Sequence, residues 1–200
     1  MVLILILNLK TIFHLKDFIE MENLEKYYYD AEFITPHNES YKWYLHNPRT
    51  LIAVEHGGTI VAFLNIMPIR EKIYQLICSG SYIDKEMTVN DFISEDSLLN
   101  IKNEPLFLFL SCIVVDPAYR QTNASKILLE ECHQYLNELK AKGVIFLAIV
   151  TDNVTEDGVK FSKKIGLECI KASNHGSYIY GNSYDNFNER MIKLLNKKNN

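Results

Sequence analysis

The chain is expected to fold as a single α/β domain spanning residues 1–200, and three observations support that expectation. Residues 106–167 run apolar strand, polar turn, helix, apolar strand, helix, the alternation that builds a sheet covered by helices. Elsewhere, short apolar runs flank Gly-containing turns and read as hairpins. With 200 residues, 48% of them hydrophobic and 12% aromatic, the chain can bury one sizeable core, and a second domain is not expected.

Taken in order, Val2 to Leu7 is wholly apolar and reads as a first, buried strand. The run falls well short of the ~20 residues that span a bilayer. It has neither a basic region before it nor a small-residue cleavage site behind it, so no membrane partner is expected. Phe13, Leu15, Phe18, Ile19, Leu24 and Tyr28 are loosely spaced for a helix reaching about Asp30. Thr35-Pro36 reads as an N-cap followed by Pro at the first helical position, opening a short helix that ends before Asn47-Pro48. Leu51 to Val54 and Ile60 to Leu64 flank His56-Gly57-Gly58, whose glycines supply the positive φ of a tight hairpin. A further strand is expected near Ile73 to Cys78, and Ser81 to Pro105 is expected to be a loop with a short helix around Val89 to Ile93.

LFLFLSCIVV, Leu106 to Val115, is an almost unbroken apolar run suited to a strand covered on both faces, and Asp116-Pro117 ends it. Ile127-Leu128-Leu129, Cys132, Leu136 and Leu139 then fall at helical spacing, with Gly143 as the C-terminal cap. Val144 to Val150 reads as a second buried strand, followed by a helix through Phe161 to Ile165. Glu168 to Ala172 and Ser177 to Tyr180 form a closing hairpin around Asn174-His175-Gly176. Ser183 caps a last helix with Phe187, Met191, Leu194 and Leu195 on one face, so residues 183–200 are a C-terminal helix and a short polar tail.

The turn between the central strand and its helix, Ala118 to Lys126, is where chemistry is expected. It places small and polar residues at a helix N-terminus, whose exposed N–H groups and positive dipole end attract an anion such as a pyrophosphate. Strand-Val-x-Pro-x-Tyr-Arg, a short turn and Leu-Leu-Glu resembles the acetyl-CoA motif of the GCN5-related N-acetyltransferases. That motif is Arg or Gln, two residues, Gly, one residue, then Gly or Ala. Arg120 matches the first position, while Asn123 stands in place of the first Gly and Ser125 in place of the second small residue. Asn is the non-Gly residue that best tolerates positive φ, so the turn is expected to survive. Asn153, Gly158, Phe161 to Ile165 and Gly166-Leu167 continue the resemblance, which covers roughly a third of the chain. Two departures follow: Ser162 occupies the place of the family's Tyr that protonates the departing thiolate, and Asn153 lies two residues farther from the glycine than is usual.

The resemblance implies a mixed central sheet with helices on both faces, the acyl-CoA N-acyltransferase fold, in which the two central strands run parallel and splay apart. It implies acetyl-CoA as co-substrate, with no metal, and direct transfer of the acetyl group to a primary amine of a small molecule or peptide. Backbone contacts to the pantetheine arm would come from Ile113, Val114 and Val115, and pyrophosphate contacts from Arg120, Gln121, Thr122, Asn123, Ala124, Ser125 and Lys126, with Asn153 beside the splay. A strand N–H near Ile113 would bond the thioester oxygen. The acceptor would sit among Tyr27-Tyr28-Tyr29-Asp30 and Tyr41, Trp43 and Tyr44, and a homodimer is compatible with the family.

The residues alone leave other readings open. Arg120 also suits a surface ion pair, Asn153 a loop or cap, Ser162 an ordinary helical position, and the aromatics core packing. Catalytic residues are not assigned, because the central strand carries no carboxylate; Glu104 precedes it, and Asp84, Glu86, Asp91, Glu95 and Asp96 read as a solvated acidic loop, with attraction of a cationic amine as the other reading. The net charge of -4 gives no reason to expect nucleic acid, and Lys193, Lys197 and Lys198 read as a solvated helix end. Cys78, Cys112, Cys132 and Cys169 lack Cys-x-x-Cys spacing and read as reduced core thiols of a cytoplasmic protein. The alternatives are a catalytically silent acyl-CoA-binding or regulatory domain of the same fold, and another doubly wound nucleotide binder, for which no complete Gly-rich fingerprint is present.

Overall fold

The structure is a computed structural model that describes residues 5–101 and 104–197. Seven strands, β1 (Asn8–Lys10), β2 (Leu51–His56), β3 (Thr59–Ile69), β4 (Pro105–Val115), β5 (Ile145–Asn153), β6 (Glu168–Ala172) and β7 (Tyr178–Ser183), form one sheet in the order β1-β2-β3-β4-β5-β7-β6. Its pairs are antiparallel except β4 with β5, which run parallel at the centre. The helices are α1 (Leu15–Glu25), α2 (His37–His46), α3 (Glu71–Cys78), α4 (Glu95–Asn100), α5 (Ala124–Ala141), α6 (Glu156–Lys164) and α7 (Tyr184–Leu195). The mixed sheet flanked by helices is the architecture expected from the sequence.

Strand periodicity explains which helices cover which face. Leu106, Leu108 and Leu110 point into the core shared with α5 and α7, beside Leu128, Leu136 and Tyr184. Phe107 and Phe109 point to the opposite face, into the cluster with Trp43 of α2 and Ile73 and Ile77 of α3. The alternation then shifts phase. Asn65 pairs with Cys112 and Ile66 with Leu110, so Ser111 is an extra residue on β4. Beyond this bulge the even-numbered Cys112 and Val114 occupy the face that Phe107 and Phe109 held, packing under Phe18 and Phe63.

The glycine-dependent turns form as expected. Gly57 and Gly58 take φ of 60° and 86° in the β2–β3 hairpin, and the β6–β7 hairpin closes around His175. Gly143 (φ 92°) ends α5, with Val144 N–H reaching back to the Leu139 carbonyl. Ser183 caps α7 by accepting from Asn186 N–H.

Other expectations need correction. The first described strand is the three-residue, largely exposed edge strand β1; of the expected Val2 to Leu7 strand, residues 5–7 are irregular and Val2 to Ile4 lie outside the described residues. Ile73 to Cys78 is helical: Ile73 and Ile77, four apart, are the buried pair, a spacing that a six-residue apolar window does not separate from a strand. The short helix is α4, at residues 95–100, where Ser94 caps by accepting from Ser97 N–H; Val89 to Ile93 is irregular, with Phe92 bridging to Ile69. α1 stops at Glu25, short of Asp30. α2 begins at His37, and its first N–H is taken by the Glu22 carboxylate (2.8 Å), with Thr35 in no capping role. β5 is not covered throughout, since Ile145 and Leu147 are about half exposed. Of the cysteines only Cys132 is buried, and Cys169 is exposed.

The β6–β7 hairpin is held against β5 at Gly181, whose absent side chain matters: a Cβ there would lie 2.8 Å from the Ile149 carbonyl oxygen and 2.9 Å from Ile170 Cδ1. Gly181→Ala is therefore expected to destabilise the fold by about 1–3 kcal/mol, read as a lower urea midpoint at unchanged slope; an unchanged midpoint would contradict the close approach.

Candidate active site

The central feature is where β4 and β5 stop pairing. Their register runs from Pro105–Ile145 to Phe109–Val150 and then ends, although β4 continues to Val115 and β5 to Asn153. Each strand stays paired on its outer side, β4 with β3 as far as Val115 and β5 with β7 as far as Asn153. The inner sides diverge around a cavity of about 340 Å³.

Backbone alternation decides which groups face that gap. Asp116 N–H donates to the Val61 carbonyl of β3 (2.8 Å), and the Val115 carbonyl instead accepts from Oη of Tyr28, in the turn after α1 (2.6 Å). In an antiparallel pair, the N–H and C=O of one residue point to the same side and neighbours alternate. Val114, like Asp116, therefore turns its backbone to β3, while Ile113 and Val115 turn theirs to the gap. The Val115 carbonyl is already satisfied by Tyr28; Ile113 N–H, Ile113 C=O and Val115 N–H remain.

Beside the gap lies the N-terminus of α5. Asn123 is the N-cap residue, with φ of -85° and no side-chain cap, so the expected positive φ is not adopted. Capping is done by Thr122, whose Oγ1 accepts from Ala124 N–H (3.2 Å) and donates to the Tyr119 carbonyl (2.6 Å). The backbone N–H groups of Asn123, Ser125 and Lys126 have no partner among the described residues. Ile113, Val114, Val115, Arg120, Ser125 and Asn153 line the cavity; Gln121, Thr122, Asn123, Ala124 and Lys126 form the turn and helix start next to it. The Arg120 guanidinium sits 4.8 Å from the centroid of the Tyr28 ring and 3.1 Å from Asp157 of α6. It thus combines the surface ion pair with a position at the cavity wall.

Asn153 and Ser162 are tied to each other. Ser162, 1% exposed, donates to Asn153 Oδ1 at 3.0 Å, and Asn153 Nδ2 faces the Tyr178 carbonyl at 3.4 Å. Gly158 permits this contact, since a Cβ there would lie 3.0 Å from Asn153 Oδ1. The Ser162 hydroxyl proton is committed inside the protein.

The other end of the cavity is acidic. Asp84, from the loop after α3, accepts from Ser111 Oγ at 2.8 Å, the bulge being what aims Ser111 at it. Burial raises the Asp84 carboxyl to about 6, with the Ser111 hydrogen bond working against the rise. Glu25, at the end of α1, has no side-chain partner among the described residues, and burial, with Asp84 and Glu22 nearby, raises it to about 8. Glu22 is held near 2 by its hydrogen bonds to His37 and Lys26 and stays ionised. Asp152, on β5, pairs with His175 at 2.7 Å. Burial also lifts the Cys112 thiol well above the usual thiol range, so it is no thiolate.

Sequence reasoning missed Glu25 and Asp152 and read Asp84 with its neighbours as a solvated loop, because an acidic residue in a polar loop or helix end carries no local signal of facing a cavity. The rest of the acidic loop is as expected: Glu86 is exposed, Asp91 accepts from Thr88, and Glu95 and Asp96 sit in the first turn of α4. Glu104 pairs with Arg70 at the surface. Among the aromatics, Tyr28, Tyr29 and Trp43 line the cavity, Tyr41 and Tyr44 pack on Phe18, and Tyr27 is 71% exposed. Among the described residues no group of three His, Cys, Asp or Glu is arranged to hold a metal, and no helix is long and apolar enough to cross a membrane.

A mixed sheet split between two parallel strands, with a helix N-terminus beside the split, defines the acyl-CoA N-acyltransferase fold. The family model of the acetyltransferase (GNAT) family matches residues 16–166, and the chain belongs to that family. Similar solved structures include the loading GNATL domain of CurA from Lyngbya majuscula (13% identity, TM-score 0.63, covering 89% of this chain and 98% of that one). The PaiA N-acetyltransferase from Thermoplasma acidophilum, in complex with coenzyme A, is 13% identical with a TM-score of 0.54, covering 90% and 99%. Naa20 from Chaetomium thermophilum, in complex with a bisubstrate analogue, is 12% identical with a TM-score of 0.57, covering 96% and 93%. A search of curated proteins finds no match.

The raised carboxyls have a stability consequence. A carboxyl whose folded value exceeds its unfolded one favours the protonated fold, so stability is lost as pH rises from the ordinary 4.5 of Glu25 to its folded value of about 8. Glu25→Gln removes that loss. It should stabilise the protein by about 1–3 kcal/mol at pH 8 and by much less at pH 5, measured by urea unfolding. Equal effects at both pH values would contradict the raised carboxyl.

Proposed function

We propose that the protein is an N-acetyltransferase that moves the acetyl group of acetyl-CoA directly to a primary amine. The observation that carries this reading is the unpaired inner edge of β4 beside the three free N–H groups that open α5. An amide-bearing pantetheine arm can satisfy Ile113 N–H and C=O and Val115 N–H much as an added strand would. Asn123, Ser125 and Lys126 N–H groups suit a pyrophosphate, with Arg120 released from Asp157 to assist. CoA binding by the PaiA enzyme supports the same reading.

The chemistry then follows from the two ends of the cavity. An amine arrives as an ammonium and gives its proton to Asp84, whose value of about 6 suits a general base near neutral pH. The freed lone pair attacks the thioester carbonyl, and the developing oxyanion is bonded by Ile113 N–H. The C–S bond of the tetrahedral adduct breaks, the second proton of the attacking nitrogen passes through water to the departing thiolate, and the neutral amide and CoA thiol leave while Asp84 returns its proton to solvent. Water is assigned this role because the Ser162 hydroxyl already donates to Asn153.

That commitment of Ser162, with no Tyr in its place, favours a second reading: a catalytically silent acyl-CoA-binding domain. The carboxylates Asp84 and Glu25 favour the enzyme. Free-thiol release from acetyl-CoA in the presence of an amine panel separates the two.

Calorimetry with CoA tests the shared premise. Asn123→Pro removes one N–H from the proposed pyrophosphate site, and Pro accepts the observed φ of -85°. Affinity should fall by about 10- to 100-fold, the worth of one hydrogen bond to a charged group. A folded variant with unchanged CoA affinity would overturn the placement.

A further inference from the structure

The cavity is charged oppositely at its two ends. Arg120 and the α5 N-terminus lie at one, and Glu22, Glu25, Asp84 and Asp152 line the other. Glu22 is already paired with the Lys26 ammonium and hydrogen-bonded to His37, and Asp152 is hydrogen-bonded to His175. Glu25 lines the cavity with no hydrogen bond or ion pair to its side chain among the described residues, and with its carboxyl raised to about 8 it stays protonated near neutral pH until an arriving cation favours its ionised form. The hydrogen bonds to Asp84 come from neutral donors, Ser111 and the Lys85 backbone, with nearby His175 a smaller influence that lowers its carboxyl.

A second observation points the same way. Asn65 and Asp152, both lining the cavity, each carry a buried oxygen, Oδ1, without a partner. The unmet demand around this end is for donors, and a primary ammonium offers three donors and no acceptor. The walls here are Phe18, Tyr29, Phe33 and Trp43, which suit a flat apolar body and the face of a cation.

We infer that the acceptor is a small cationic amine with an aromatic or apolar body and no carboxylate beside its nitrogen, held with its ammonium between Glu25 and Asp84. This rests on the transferase reading and narrows it. A free amino acid would place its own carboxylate against Glu25 and Asp84, two acidic side chains with no cationic hydrogen-bond partner among the described residues, so the same residues that attract the amine reject its amino-acid counterpart.

The test compares phenethylamine, phenylalanine and phenylalaninamide as ligands of the full chain, by calorimetry with and without CoA, so that binding is read independently of turnover. Phenethylamine should bind at least ~10-fold more tightly than phenylalanine, about 1.4 kcal/mol. Glu25→Gln should shrink that ratio to within ~3-fold while leaving CoA affinity unchanged; Asp84→Asn is the second variant should the first misfold. Equal or tighter binding of phenylalanine, or a ratio untouched by both variants, would overturn the inference even where CoA binds. Phenylalaninamide binding ~10-fold more tightly than phenethylamine would also overturn it, by pointing to a peptide N-terminus. Loss of CoA binding alone, with the amine preference intact, would sink the transferase reading and leave the cation site standing.

Discussion

The structure depends on a ladder that stops. β4 and β5 pair from residue 105 to 109 on one side and 145 to 150 on the other, then part with their outer ladders intact. Unpaired backbone inside a protein is costly, and the outer ladders are what make the parting tolerable. β3 holds β4 to its end, β7 holds β5 to its end, and Tyr28 satisfies the Val115 carbonyl. What is left is a short row of backbone groups facing a cavity. Every other feature of the site, from the α5 N-terminus to the bulge at Ser111, is arranged around that opening.

The bulge connects fold and chemistry. Without the extra residue, Cys112 and Val114 would fall on the α5 face and Ile113 on the α1 face, and the backbone groups now facing the gap would face β3. The phase shift leaves Ile113 and Val115 with free donors and turns Ser111 toward Asp84. In the proposed reading, the cavity that results takes an anion at the α5 end and a cation at the end lined by Glu25 and Asp84. Two reactants of opposite charge can therefore be ordered within it before any bond changes, which is where much of the barrier to a two-substrate reaction lies.

Much of this was legible in the sequence. The apolar runs, the Gly-capped α5, both hairpins and the acetyl-CoA-type turn are local patterns, and local patterns are what a sequence displays. The Ile73 to Cys78 helix was not legible, because a short apolar run satisfies either period. Neither was the bulge: LFLFLSCIVV is apolar on both faces, so a one-residue phase change leaves no trace in it. Asn123, read as a residue that tolerates positive φ, takes φ of -85°, and the hydroxyl of Thr122 bonds the first turn of α5 instead, a choice settled by where that hydroxyl could reach. Glu25, Asp84 and Asp152 converge from three separate elements, and their meaning lies in that convergence. Ser162 was visible as a departure, yet only its hydrogen bond to Asn153 removes it as a proton donor.

The central claim is that the inner edge of β4 is an open hydrogen-bonding edge which the cofactor completes. Residue-resolved amide exchange, followed by NMR with and without CoA, tests it most directly. The amides of Ile113 and Val115 should exchange rapidly in the free protein and become protected on CoA addition, while Val114, bonded to β3, stays protected in both states. Protection of Ile113 and Val115 without CoA, or no change in them when CoA is added, would contradict the account.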